Sequence, residues 1–145
     1  MKSNFKVRLA ATIDVDFFYQ CICELQNEIF DYNIFKEIFI DNLYNFNHLY
    51  LILENELEGI GIITLHQQKL LHHCGVVSEI QEFFIVPKYR GQGFGDYLIT
   101  IVKDYCKLNK IKSLEVTSNK KRVENVAIYE KLGFELSHNK FTIKL

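Results

Sequence analysis

Glu79-Ile80-Gln81-Glu82-Phe83-Phe84-Ile85-Val86-Pro87-Lys88-Tyr89-Arg90-Gly91-Gln92-Gly93-Phe94-Gly95-Asp96-Tyr97-Leu98 runs an apolar strand into a basic, glycine-rich turn and then into an amphipathic helix. That order builds an anion site. The first N–H groups of a helix have no intrahelical acceptor, and the aligned peptide dipoles leave that end partly positive. Glycine at 91, 93 and 95 permits unusual dihedrals and removes Cβ atoms that would hold a phosphate away. Arg90 adds a charge and a forked donor set suited to phosphate oxygens. The stretch reads as a pyrophosphate cradle.

Two familiar phosphate loops fit it poorly. A nucleoside-triphosphate loop needs Lys and then Ser or Thr after its last glycine, whereas Gly95 is followed by Asp96 and Tyr97. The dinucleotide fingerprint spaces its glycines differently and places an acidic residue further on. By spacing alone, an ordinary strand-to-helix turn stays open.

Composition bounds the rest. A length of 145 residues suits one domain with a real core. Hydrophobic residues make up 48%, charged residues 24%, and the net charge is −1. Nothing in that balance calls for nucleic acid or an acidic membrane surface. No apolar run reaches the length of a membrane helix and the start lacks a leader pattern, so a cytoplasmic location is expected. Cys21 and Cys23 stand two apart, while Cys74 and Cys106 are isolated, so no zinc-type pairing of cysteines exists. All four are expected to be free, small, buried residues.

Along the chain, alternation predicts a strand over 5–10. Helical spacing predicts helices from Asp14 to Asn27, with Asp14 as cap, and from Tyr32 to Asn45. Tyr50–Leu53 and Leu57–His66 form a hairpin, with Gly59 and Gly61 marking a bulge or a close backbone approach. Gln67–Gly75 connects to the strand Val76–Val86. A main helix over Gly93–Leu108 buries Phe94, Leu98, Ile101, Val102 and Tyr105. A strand over 111–117, a helix over Arg122–Leu132 stopped by Gly133, and a closing hairpin of 134–136 with 140–144 complete the chain.

Arg90-x-x-Gly93-x-Gly95 after an apolar strand ending in Pro resembles the acyl-CoA-binding motif of the GNAT superfamily of N-acetyltransferases. Ala127-Ile128-Tyr129-Glu130-Lys131-Leu132-Gly133-Phe134 resembles its second motif, a helix carrying Tyr followed by Gly-Phe. Cys23-Glu24-Leu25, Leu65-His66, Leu71-His72-His73, Glu79-Ile80-Gln81-Glu82, Lys121-Arg122 and Ser137-His138 through Phe141-Thr142 are similar to bacterial aminoalkylphosphonate N-acetyltransferases. The likeness covers nearly the whole chain. It implies an α/β (α+β) fold: a central mixed, mostly antiparallel sheet of about seven strands with a splayed parallel pair, flanked by about four helices. It also implies acetyl-CoA as cosubstrate. The backbone of Phe84, Ile85 and Val86 would meet its pantetheine arm, and Arg90, Gly91, Gln92, Gly93, Phe94, Gly95 and Asp96 its pyrophosphate. Arg122 and Tyr129 complete that cofactor set. Arg122 stands where many members carry Asn, and Asn125 where Ala is usual; the phosphonate subgroup shares the Arg.

Acetyl transfer to an amine needs a base, stabilisation of the thioester oxygen and a proton for the departing thiolate. Glu79 and Glu82 interrupt an apolar strand, where a carboxylate is costly unless paired or functional. Alternation would set them on opposite faces. The resemblance implies Glu79 as base through a water, Glu82 as a further contact and Tyr129 as acid. Without the motif, Tyr129 is one of 8 Tyr beside 12 Phe and would pass for a core aromatic. His66, His72, His73 and His138 become candidates for the acceptor, a small-molecule amine, and leave a divalent metal open. Other small amines (polyamine, amino sugar, amino acid), a binding module without turnover, and a homodimer built on the closing strand stay open as well.

Overall fold

The computed structural model describes residues 4–145. Its strands are β1 (Phe5–Leu9), β2 (His48–Asn55), β3 (Gly59–Leu70), β4 (Gly75–Ile85) and β5 (Ser113–Val116). Its helices are α1 (Val15–Gln26), α2 (Tyr32–Leu43), α3 (Phe94–Leu108) and α4 (Glu124–Lys131). The strands form one sheet in the order β1-β2-β3-β4-β5, antiparallel except for the parallel pair β4–β5. Each face buries its own apolar set. Leu53, Ile63, Leu65 and Ile80 pack with Leu98, Ile99 and Val102 of α3. Tyr50, Ile52, Ile62 and Phe84 pack with Phe18 of α1 and Phe39 of α2. Helices therefore cover both faces, as strand patterning on an internal sheet requires.

Two bulges shape the hairpins. Between β2 and β3 the register slips at Leu53/Glu54, beside Gly59 and Gly61. A Cβ on Gly61 would lie 2.7 Å from the Phe84 carbonyl oxygen, so the close approach requires glycine there. Between β3 and β4, Thr64 faces Glu82 but Leu65 faces Ile80, leaving Gln81 as the extra residue. A bulge of this kind reverses the in–out alternation beyond it. The two carboxylates therefore share a face, contrary to the simple period-two expectation. Glu79 opposes His66, while Glu82 opposes Thr64, and both rows lie on the α1–α2 side.

The parallel pair is short. It holds from Val77↔Ser113 to Ile80↔Val116, after which β4 continues to Ile85 without a neighbour on that side. This is the splay, and it opens just before the glycine-rich turn.

Several expectations are corrected. The sheet has five strands, not about seven, because residues 134–145 form no ladder. Gln67–Leu70 are not a connection; they extend β3 opposite Gly75–Ser78, since backbone pairing tolerates the exposed polar side chains. Cys21 and Cys106 are buried as expected, but Cys74 is exposed in a left-handed turn (φ 51°). Asp14 does not cap α1 with its side chain. Its carboxylate instead takes both terminal nitrogens of Arg8 at 2.8 Å and the Ala11 N–H at 2.7 Å. Burial pushes the Asp14 carboxyl up, but these donors outweigh it and hold it below the usual range. Stability from this pair is thus present above about pH 4 and lost as pH falls through the folded-state value. Asp14→Asn should lower Tm at pH 7, and thermal melts taken from pH 7 down to 3 should show the deficit shrinking.

Candidate active site

The turn after β4 is built as a cradle. Gly91 (φ 75°) and Gly93 (φ 87°) occupy the left-handed region, and space beside Gly91 is open. Gly93 starts α3 with no side-chain cap, and the first helical bond is Tyr97 N–H to Gly93 O at 3.0 Å. The N–H groups of Phe94, Gly95 and Asp96 are left to point outward at the positive end of the helix. Arg90 is braced beside them. Its Nε donates to Ile85 O at 2.8 Å and its guanidinium lies 5.0 Å over the Phe84 ring. Gln92 donates to Lys88 O at 3.2 Å.

The unpaired edge of β4 leads into this cradle. Val86 N–H donates to Ile60 O on β3 at 2.8 Å. Strand alternation then turns the backbone groups of Phe84 and Val86 toward β3, and those of Phe83 and Ile85 toward the splay. Phosphate donors at one end and free strand edge at the other fit an extended ligand with a charged head.

Two rows of side chains cross the α1–α2 face beside the splay. One is Tyr50, Thr64 and Glu82; the other is His48, His66, Glu79 and Glu115. In the first row, the Thr64 hydroxyl donates to the Glu82 carboxylate and accepts the Glu82 N–H at 2.9 Å. Burial pushes the Glu82 carboxyl above its ordinary range, with Thr64 pulling part of the way back. Tyr50, buried and near Glu82, is pushed up to about 12, while Asn42 donates to its hydroxyl at 2.6 Å. In the second row, His48 and His66 stack with ring centres 3.8 Å apart. Burial lowers both imidazoles; at His66 the His48 ring adds to the lowering against a smaller upward pull from Glu79, and at His48 the Asn42 backbone pulls part of the way back. They are neutral donors and acceptors at pH 7. Glu79 is more open, taking the Thr117 hydroxyl at 2.9 Å and Gln81 Nε2 at 3.2 Å. A hollow of about 280 Å³ lies between α1 and the end of β4, bounded by Phe17, Gln20, Cys21, Glu24, Phe84 and Val86.

Tyr129 lies on α4. Leu132 and Phe134, which follow it, pack on the α3 core. Gly133 (φ 102°) ends α4, with Gly133 N–H to Glu130 O at 3.0 Å and Phe134 N–H to Tyr129 O at 3.0 Å. This double bond pattern is a Schellman stop, which brings the residue after the glycine against the one five before it. Here those are Phe134 and Tyr129, edge to face at 5.8 Å. The spacing Tyr-x-x-x-Gly-Phe thus follows from how the helix ends. Burial raises the Tyr129 hydroxyl, and the Arg122 charge opposes that rise. Arg122 itself donates to Leu25 O of α1 at 2.6 Å.

The histidines expected together are not gathered. Only His66 stands beside Glu79. His72 is exposed and His73 half-buried in the β3–β4 turn, beyond the end of β3, which itself lies about 13 Å past His66 at 3.3 Å per residue. His138 is exposed on the C-terminal segment, against Ser137. Among the described residues no three His, Cys, Asp or Glu side chains are placed to hold a metal ion, so the arrangement does not fit one. His48, Tyr50, Thr64 and Thr117 join the site unannounced by any motif. Only the strand register brings them there.

A family model described as an acetyltransferase (GNAT) domain matches residues 20–144. The aminoalkylphosphonate N-acetyltransferase of Salmonella typhimurium is 34% identical over 137 residues, covering 94% of this chain and 89% of that protein. Among solved structures, a transcriptional regulator from Bacillus halodurans superposes with a TM-score of 0.88 at 19% identity, covering 97% of this chain and 99% of that one. The glucosamine-6-phosphate N-acetyltransferase of Arabidopsis thaliana gives a TM-score of 0.79 at 20% identity, covering 97% of each chain. At such identities these two structures speak to the fold alone.

Because the Glu82 carboxyl binds its proton more tightly folded than unfolded, its ionisation weakens the fold as pH rises through the folded-state value. Glu82→Gln should therefore raise Tm more at pH 8 than at pH 4.5, a difference read directly from paired thermal melts.

Proposed function

The chain belongs to the GNAT acetyltransferase family, and we propose that it moves the acetyl group of acetyl-CoA to the primary amine of a small aminoalkylphosphonate. The observation that carries this reading is the bulge at Gln81. It sets both carboxylates on one face beside the splay, and the helix that carries Tyr129 ends in a segment packed on the other face. Similarity to the Salmonella enzyme along 94% of the chain supports the acceptor class.

The cradle of Arg90 and residues 91–96 holds the pyrophosphate, and the backbone groups of Phe83 with the Ile85 N–H, whose carbonyl is taken by Arg90, hold the pantetheine amides. Glu79 takes a proton from the acceptor ammonium through a water, since the amine must be neutral to attack. As the N–C bond forms, a backbone N–H of the β4 edge stabilises the negative thioester oxygen. Tyr129 then gives its proton to the sulfur as the C–S bond breaks. Glu82, more buried, is the deeper contact for the ammonium group. His66 and His48 supply neutral N–H donors to the phosphonate oxygens. Four free thiols support a reducing, cytoplasmic setting.

The exposed apolar side chains of Leu136, Phe141, Ile143 and Leu145, together with the outer edge of β5, which no strand among the described residues pairs, support a homodimer. In that dimer the last segment of one copy lies along the sheet of the other.

Thiol release with a panel of amines tests the function. Turnover on aminomethyl- or aminoethylphosphonate is expected. Turnover confined to polyamines, amino sugars or amino acids would move the acceptor class, and acetyl-CoA binding without turnover would reduce the chain to a binding module. Tyr129→Phe should lower kcat by roughly 100-fold with acetyl-CoA affinity unchanged. Glu79→Gln should be most impaired at low pH, where the amine is protonated. Removing residues 137–145 should convert a dimer to a monomer in light scattering.

A further inference from the structure

α1 ends in a left-handed Asn27 (φ 52°). Glu28 N–H reaches Cys23 O at 3.1 Å and Asn27 N–H reaches Glu24 O at 3.3 Å, which leaves the Leu25 carbonyl to be satisfied elsewhere. The last turn of α1 contains no basic residue to meet the negative end of the helix dipole. Arg122, 97 residues later, supplies both, donating from Nη2 to Leu25 O at 2.6 Å. Its backbone is fixed in the turn before α4 by Arg122 N–H to Asn119 O and Asn125 N–H to Arg122 O, both 2.9 Å. α4 buries no residue of its own, so a tether there has large leverage on Tyr129. The two joined elements belong to opposite faces of the sheet. α1 packs on the carboxylate face, and the segment after α4 packs on the α3 face.

We propose that Arg122 is a positioning residue that clamps α1, on the acceptor side, to the tyrosine-bearing α4 across the splay, and is not a contact to acetyl-CoA. This rests on the acetyltransferase reading and on Tyr129 as its acid. The charge that acts on Tyr129 is Arg122, while Phe134 packs edge-on against the ring. One guanidinium therefore serves two ends. It holds the helix that packs on the carboxylate face, and it keeps the half-buried phenol from rising further.

The test compares Arg122→Ala, Arg122→Gln and Arg122→Lys with the wild type. Acetyl-CoA Kd is read by calorimetry, and kcat and KM between pH 6 and 10 with whichever amine the wild type turns over. Arg122→Ala should keep acetyl-CoA Kd within about twofold, and raise the acceptor KM roughly tenfold or more, the size of a lost charge-assisted hydrogen bond. An acid must be protonated to act, so activity falls as pH rises through the Tyr129 value. Removing the opposing charge raises that value, and the alkaline limb of kcat should move to higher pH. Arg122→Lys should restore the limb but only part of the KM, since a point charge replaces a fork. Arg122→Gln keeps a donor without charge and should do the reverse. It also decides the matter if the alanine variant folds poorly. An acetyl-CoA Kd weakened tenfold, with acceptor KM and alkaline limb unmoved, would overturn the clamp in favour of a cofactor contact. A wrong phosphonate assignment leaves the comparison intact on another amine. If the wild type turns over no amine, the acetyl-transfer reading fails separately, and the Kd measurement still decides whether Arg122 touches acetyl-CoA.

Discussion

Gln81 has no opposite number in β3, and the site depends on that. A strand that kept strict alternation would send Glu79 and Glu82 to opposite faces, one of them into the core against α3. The extra residue turns them to the same side and lines each up with a polar partner, His66 for one and Thr64 for the other. A buried carboxyl in an apolar sheet is then tolerable, because a hydroxyl and not a methyl group faces it. The same irregularity lies where β4 loses its parallel neighbour, so the paired carboxylates and the open strand edge are placed by one stretch of backbone.

The parts on either side of that stretch divide the labour. The α3 face is a conventional apolar core, and its helix offers its positive end to a phosphate. The α1–α2 face is mixed, with aromatic rings of Phe18, Phe39 and Tyr50 giving way to imidazoles and carboxylates toward β5. Neutral histidines stacked there avoid the cost of a buried charge beside the carboxylate row. What joins the two faces is thin: a four-residue β5, a helix without a buried side chain, and one guanidinium.

Local signals were legible and pairings were not. Arg90, the three glycines and the amphipathic run after them point to the cradle because helix ends and glycine dihedrals are properties of adjacent residues. Tyr129 with Gly133 and Phe134 is legible for the same reason. The position of the bulge is a matter of register between strands, which no window of sequence contains, so the shared face of Glu79 and Glu82 was hidden. His48 and Thr64 were hidden with it, and His72, His73 and His138 looked like partners only because histidine stands out. The closing hairpin was expected from alternation at Phe141, Ile143 and Leu145, yet alternation prescribes a strand only where a ladder is available to receive it.

The way α4 stops has a bearing on how this protein tolerates change. Tyr129 is located by counting backward from Gly133, not forward from the first helical residue. A residue gained or lost ahead of Asn119 would leave both the Arg122 turn and the helix stop in place, and the phenol aimed as before. A single insertion between 129 and 133 would swing it by about 100°, one residue's share of a helical turn. The chemistry is anchored to punctuation, so length variation in this region should gather upstream of it.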